Sequence, residues 1–171
     1  MAVPDVIWER DGDATLVADA RYFPLIISTF TGATTEKIMC RYFAWNNAQA
    51  ERADRENTKF ITLSDARLAK RPDATVRKTI AELSDEAPAA LHERHLPSVL
   101  VLESAIVRGA LTAIQWMSRN EFKTLSAPTM AAGFERVLAS LAAERISIPS
   151  GLDPATYVAP ALPGEDGKVP A

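Results

Sequence analysis

The residues best equipped for chemistry in this chain are few. His92 and His95 in the string LHERH stand three apart with Glu93 between them, and on a helix their imidazoles face one way, as a pair of metal ligands would. A zinc hydrolase needs a third ligand and a His-Glu-x-x-His string in direct or inverted form, and neither is present. The pair therefore reads as the charged, solvent-facing end of a helix. These are the only two histidines, so no base can be named for a serine or cysteine nucleophile. Cys40 is the single cysteine, which rules out an intramolecular disulfide and a thiolate zinc cluster. Inside an apolar helical pattern it reads as a small core filler.

A different chemistry is raised by SAIVRGALTAIQWM at 104–117, which puts Arg108 and Gly109 in the first turn of an expected helix. A helix amino end already carries partial positive charge, so Arg108 needs an anion or a carboxylate to answer it. Ser104 is the expected cap of that helix. What answers Arg108 depends on the elements that bring other residues near it.

Six segments read as strands: VIWER, TLVADA at 15–20, PLIISTF at 24–30, KFITLSDA at 59–66, PSVLVLES at 97–104 and FKTLSA at 122–127. The first three are separated only by DGD and RYFP, which favours antiparallel neighbours. PSVLVLES is the most continuous apolar run and reads as a central strand covered on both faces. Between the strands the apolar period changes to three and four. Helices are expected over 35–53, 73–92, 106–118 and 129–143, with Thr34 or Thr35 and Ser104 as caps, Asp73 starting the second and Pro128 opening the last. Pro88 removes a backbone donor inside the second, so a kink or a division is expected there. Met39, Tyr42, Phe43 and Trp45 cover more of the first helix than one core-facing stripe needs, leaving either core packing or a contact surface.

Strands alternating with helices build an α/β domain whose sheet is mixed and mostly parallel, here of about five strands with four helices. At 171 residues, 47% apolar and 24% charged, the chain suits one such domain. A net charge of -3, with basic residues interleaved among acidic ones, provides no footprint for nucleic acid. No apolar run approaches membrane-spanning length and the first residues carry no basic-then-apolar leader, so a cytoplasmic protein without membrane insertion is expected. The seven glycines form neither a Walker string nor a dinucleotide fingerprint, and no cofactor is expected.

In sheets of this kind ligands sit beyond the carboxyl ends of the parallel strands. Those ends supply Thr31 and Gly32, then Ser64, Asp65 and Arg67, then Glu103, Ser104 and Arg108. The candidate binding residues for a ligand or partner are Thr31, Gly32, Asp65, Arg67, Ser104 and Arg108. Two answers to the Arg108 question follow. Either Asp65 or Glu103 pairs with it and ties neighbouring loops together, or Arg108 and Arg67 hold a phosphate or carboxylate at the helix amino end.

The element order over about residues 3–145, with DARYFPLIISTFTG, KFITLSDAR, VLVLESAIVRGALTAIQWM and FKTLSAPTMAAGFERVLASL, resembles the STAS domain of bacterial anti-sigma-factor antagonists and a looser set of STAS-like proteins. The resemblance implies a non-enzymatic, regulatory or scaffold module of a bacterial cytoplasm that works by binding a protein partner. A small-molecule domain holding an anionic or lipid-like ligand is the alternative. In the antagonists a phosphorylatable serine starts the second helix in a string of the type Asp-Ser-Ser-Gly-Leu. Here Asp73 matches, Ala74 stands for the acceptor serine and Val76 for the glycine, which argues against the same switch and leaves Thr75 as either a plain polar first-turn residue, the favoured reading, or a candidate for modification.

From residue 147 on the pattern changes. Five prolines and three glycines prevent a regular helix or central strand, so 147–171 reads as an extended arm appended to a domain at 1–146. Leu152, Tyr157, Val158 and Leu162 are its apolar anchors, either on the same chain or on a second copy, which would make the arm a route to a homo-oligomer.

Overall fold

The computed structural model describes residues 3–102, 124–147 and 150–163. Six strands form one sheet in sequence order: β1 (Val6–Asp11), β2 (Ala14–Asp19), β3 (Leu25–Gly32), β4 (Ile61–Ala69), β5 (Ser98–Val101) and β6 (Thr124–Ala127). The first two pairings are antiparallel and the remaining three parallel. The sheet is thus mixed and mostly parallel, with six strands where about five are expected. Four described helices accompany it: α1 (Glu36–Arg55), α2 (Ala74–Asp85), α3 (Ala89–Arg94) and α4 (Met130–Ala143). The helix expected over 106–118 lies outside the described residues.

Local chemistry accounts for the element ends. Gly12 and Asp13 form a two-residue hairpin between Asp11 and Ala14, and Gly12 takes the positive φ of 63° that such turns ask for. Thr35, Asp73 and Thr129 cap α1, α2 and α4 by accepting hydrogen bonds from Ile38, Val76 and Ala132 backbone amides. The expected break at Pro88 is real: α2 ends at Asp85 and Pro88 stands at the start of α3.

The period of two divides β3 between two cores. Ile26 and Phe30 join Leu16, Ala18, Ile38, Trp45, Phe60, Val76 and Leu91 beneath α1, α2 and α3. Leu25 and Ile27 face the other way and join Ile61, Leu63, Val99, Val101, Phe134, Val137 and Leu141 beneath α4. Gly133 sets the distance of α4 from the sheet, since a Cβ there would come within 2.7 Å of Leu63 Cδ1 and 3.0 Å of Val101 Cγ2. In β5 only Val99 and Val101 are buried, and Ser98 and Leu100 are half-buried, so among the described residues this strand is less enclosed than β3. Cys40 is exposed on α1 and does not fill the core. Its neighbours Met39 and Trp45 hold the inward positions, while Tyr42 and Phe43 pack half-buried against the same cluster. The aromatic residues of α1 are therefore mainly core.

The described part of the carboxyl-terminal segment lies against its own chain. Leu152 and Tyr157 pack on the cluster beneath α4, with the Tyr157 ring edge-on to Tyr22 and to Phe134 at 6.0 Å from each. The Tyr157 hydroxyl donates to the Asp19 carboxylate at 3.2 Å. Asp19 is fully buried and also accepts from Arg21 Nε at 2.9 Å and Nη2 at 2.8 Å. Burial, and then the nearby Asp19 charge, push the Tyr157 hydroxyl well above the usual tyrosine range. Val158, by contrast, is 79% exposed.

These contacts give a stability prediction. Tyr157→Phe removes one hydrogen bond to a buried carboxylate that keeps Arg21, a loss of about 1 kcal/mol. Tyr157→Ala also removes the ring from between Tyr22 and Phe134 and is expected to cost about 2 kcal/mol. Urea unfolding of the two variants checks both the order and the sizes.

Candidate functional site

The strand-end rim begins where β3 and β4 finish side by side. Thr29 stands opposite Asp65, but two residues later Thr31 stands opposite Leu68 and Gly32 opposite Ala69. One extra residue in β4 thus forms a bulge at Ala66 and Arg67. The shift brings Leu68 beside Thr31 and leaves it 75% exposed. Three residues beyond Gly32 comes the cap of α1, and four beyond Ala69 comes the cap of α2. Both helix amino ends therefore open at the rim, as expected for parallel strands.

Gly32 has a structural reason to be glycine. Its φ is 70°, and a Cβ on it would overlap the Asp13 carbonyl oxygen of the neighbouring hairpin. Its own carbonyl accepts from the Lys70 amide at 2.8 Å, joining the ends of β3 and β4. Thr31 and Thr15 hydroxyls hydrogen-bond across the β2–β3 pair. Lys70 Nζ reaches Asp13 at 2.6 Å, and this hydrogen bond, with the lysine charge, holds the Asp13 carboxyl below the usual carboxylate range.

The charges of the rim answer one another. Arg67 donates to Asp65 through Nε at 2.9 Å and Nη2 at 2.8 Å, a two-pronged pair on one strand. Asp65 is thus engaged by Arg67. Glu103, Ser104 and Arg108 lie outside the described residues, so the pairing expected of Arg108 is not placed. The amino end of α2 is met by the Asp73 carboxylate at 2.9 Å from the Val76 amide, and Arg77 Nη1 donates to the Pro72 carbonyl at 2.8 Å. Thr75 is exposed in the first turn of α2, on the same rim.

Of the residues singled out in the sequence, Thr31, Gly32, Asp65 and Arg67 are brought together on two adjacent strands. Asp13, Thr15, Leu68 and Lys70 complete the rim and were not apparent. Lys70 follows directly on β4, which runs three residues past the end of the expected strand at 66. Leu68 was missed because its place opposite Thr31 depends on the bulge.

The LHERH pair does not form the outward-facing end expected of it. His92 is exposed, but His95 falls just past α3 and turns inward, with its ring 4.6 Å from that of Phe60 and Nε2 2.8 Å from the Thr62 hydroxyl. Phe60 and His95 are joined by an isolated parallel bridge that starts the β4–β5 pairing. The two imidazoles therefore diverge.

No family model matches the chain, and no curated protein matches it. Among solved structures the chain is similar to the crystal structure of an anti-sigma factor antagonist from Mycobacterium paratuberculosis, at 11% identity and a TM-score of 0.42, over 81% of this chain and 99% of that one. No described helix is long and apolar enough to cross a membrane.

Two predictions follow from the geometry. Burial of His95, with a smaller contribution from the His92 charge, lowers its pKa from 6.5 to about 4. The unfolded chain then binds the proton first as pH falls. Stability is full above about pH 6.5 and declines by up to about 1.4 kcal/mol per pH unit between there and pH 4. Urea midpoints across that window should lose most of this slope in His95→Gln. At the rim, Gly32→Ala forces a side chain into the Asp13 carbonyl at positive φ and is expected to cost more than about 1 kcal/mol. A thermal melt unchanged from that of the unaltered protein would contradict this.

Proposed function

We propose that this chain is a STAS-like, non-enzymatic regulatory or scaffold module that binds a protein partner through the strand-end rim. The observation that carries the reading is the composition of that rim. Leu68 is an exposed apolar residue on the end of β4, opposite Thr31 and close in sequence to Lys70 and the Asp65–Arg67 pair. An apolar anchor among polar residues is the anatomy of a protein contact.

The alternative, an anionic or lipid-like ligand on the rim, draws less support from the same residues. Arg67 and Lys70 already face carboxylates of their own chain, and the α2 amino end faces Asp73. A phosphate arriving there meets three carboxylates as well as the two cations. Ser104 and Arg108 belong to the proposed surface by their place after β5 in the sequence, and Thr75 is its candidate modification site. A phosphate on Thr75 would add negative charge beside Asp73 and alter partner contacts without altering the core.

Within this reading the module spans 1–146, the arm at 147–171 is an appended strap, and the protein works in a bacterial cytoplasm without a cofactor. Association of two copies through the arm has fewer anchors available than the sequence implies, since Leu152 and Tyr157 lie on their own chain and Val158 is the exposed one.

The test is capture from a bacterial lysate by the unaltered protein and by Leu68→Asp. A partner retained by the first and lost by the second, with equal thermal melts, supports the rim as the contact. A partner retained equally by both rejects it. Native mass spectrometry that finds a stoichiometric anionic compound, displaced by Arg67→Ala, favours the ligand-binding alternative.

A further inference from the structure

The interior between α1 and the sheet contains a group of polar side chains that have no hydrogen-bond partner among the described residues. Gln49 is fully buried, and among the described residues neither its amide nitrogen nor its amide oxygen has a partner. Ser28, also fully buried, has an unpartnered hydroxyl, and so does the side-chain oxygen of Asn46. Buried polar atoms almost always have a partner, in the protein or in ordered water, because stripping them of water without replacement is unfavourable. Several such atoms on one apolar layer need a common explanation.

Their placement brings them to one region. On α1 the intervals Tyr42, Asn46 and Gln49 are four and three residues, one stripe along the helix, and it points into the same core as Ile38 and Ala53. Beneath it, Ser28 of β3 stands between Ala18 of β2 and Ser64 of β4, a lateral row of small side chains on one face of the sheet. Tyr42 hydroxyl lies 3.5 Å from Ser64 Oγ, at the limit of hydrogen bonding, which fixes the stripe over that row. Small residues below and amides above without a partner among the described residues put unused hydrogen-bonding capacity in the same layer.

We infer that this layer is an internal binding site for a small uncharged molecule that both donates and accepts hydrogen bonds, with Gln49 as its central contact and Ser28 and Asn46 beside it. Water is the smallest such occupant, and a small neutral amide or alcohol is the organic equivalent. No charged side chain belongs to the group. Tyr42, the ionisable side chain of the stripe, faces Ser64, and two other ionisable groups of the interior are engaged elsewhere: Asp19 with Arg21 and Tyr157, and His95 with Thr62. An ion would enter this layer without a counter-charge.

The inference stands apart from the partner-binding reading, since Gln49 and Ser28 are core residues and the rim variants do not touch them. Gln49→Met, which keeps the shape and removes both amide atoms, distinguishes the cases. With the site occupied, the substitution strands the occupant and its remaining partners, and the melting midpoint should fall by about 3 °C or more. With the layer dry, it removes unmet polar groups, the midpoint should rise, and the inference is overturned. A high-resolution crystal structure of the unaltered protein reads the same point without depending on the variant's folding. Discrete density within hydrogen-bond distance of Gln49 supports the site, and continuous apolar packing without density overturns it. Mass analysis of the extract from denatured, purified protein then separates the two occupants: a stoichiometric neutral compound means an organic ligand, and density without such a compound means water.

Discussion

The structure depends on β3 being buried on both faces while it changes the direction of the sheet. It pairs antiparallel with β2 and parallel with β4, and its residues alternate between the core under α1 to α3 and the core under α4. A strand in that position accepts few polar side chains and no slip of register, since one residue of slip exchanges the two cores. The parallel step to β4 requires a crossover, which α1 supplies, and it brings the ends of β3 and β4 together. The bulge at Ala66 and Arg67 lies beyond the deeply buried part of that pairing, where an extra residue changes the rim without disturbing either core.

From that constraint the rim acquires its character. Gly32 allows the hairpin carbonyl of Asp13 to approach, the hairpin brings Asp13 to Lys70, and the bulge brings Leu68 to Thr31. The charges on this edge are organised by neighbours in the sheet, and exposed pairs of this kind contribute little to stability. Leu68 stands exposed at the end of the same strand. The carboxyl-terminal segment is organised differently, through a buried carboxylate shared between Arg21 and Tyr157, where loss of either partner is felt in the core.

Much of the architecture was legible because it rests on local rules. The short apolar run PLIISTF, the period of three and four in α1 and α4, a threonine cap at 34 or 35, the start of the second helix at Asp73 and the break at Pro88 each follow from a few adjacent residues. What was not legible depends on tertiary placement. Cys40 sits on an apolar-looking helix, yet its position faces outward because Met39 and Ile38 take the inward ones. His95 belongs to a charged string, yet the chain turns after Arg94 and lays its ring on Phe60. Thr31, Gly32, Asp65 and Arg67 were found from the rule that strand ends line a rim, but that rule says nothing of a bulge, and so Leu68 was missed. The bond from Tyr157 to Asp19 spans 138 residues and left no local signal.

The account's central claim is that partner contact falls on the ends of β3 and β4 and the helix starts beside them. Amide hydrogen exchange of the unaltered protein, measured alone and in complex with the partner it captures, tests this most directly. The account predicts slowed exchange at residues 31–36 and 66–74, with little change at 124–127 and 150–163. Slowing confined to the β6 edge or to the carboxyl-terminal segment, with the rim unchanged, would contradict it.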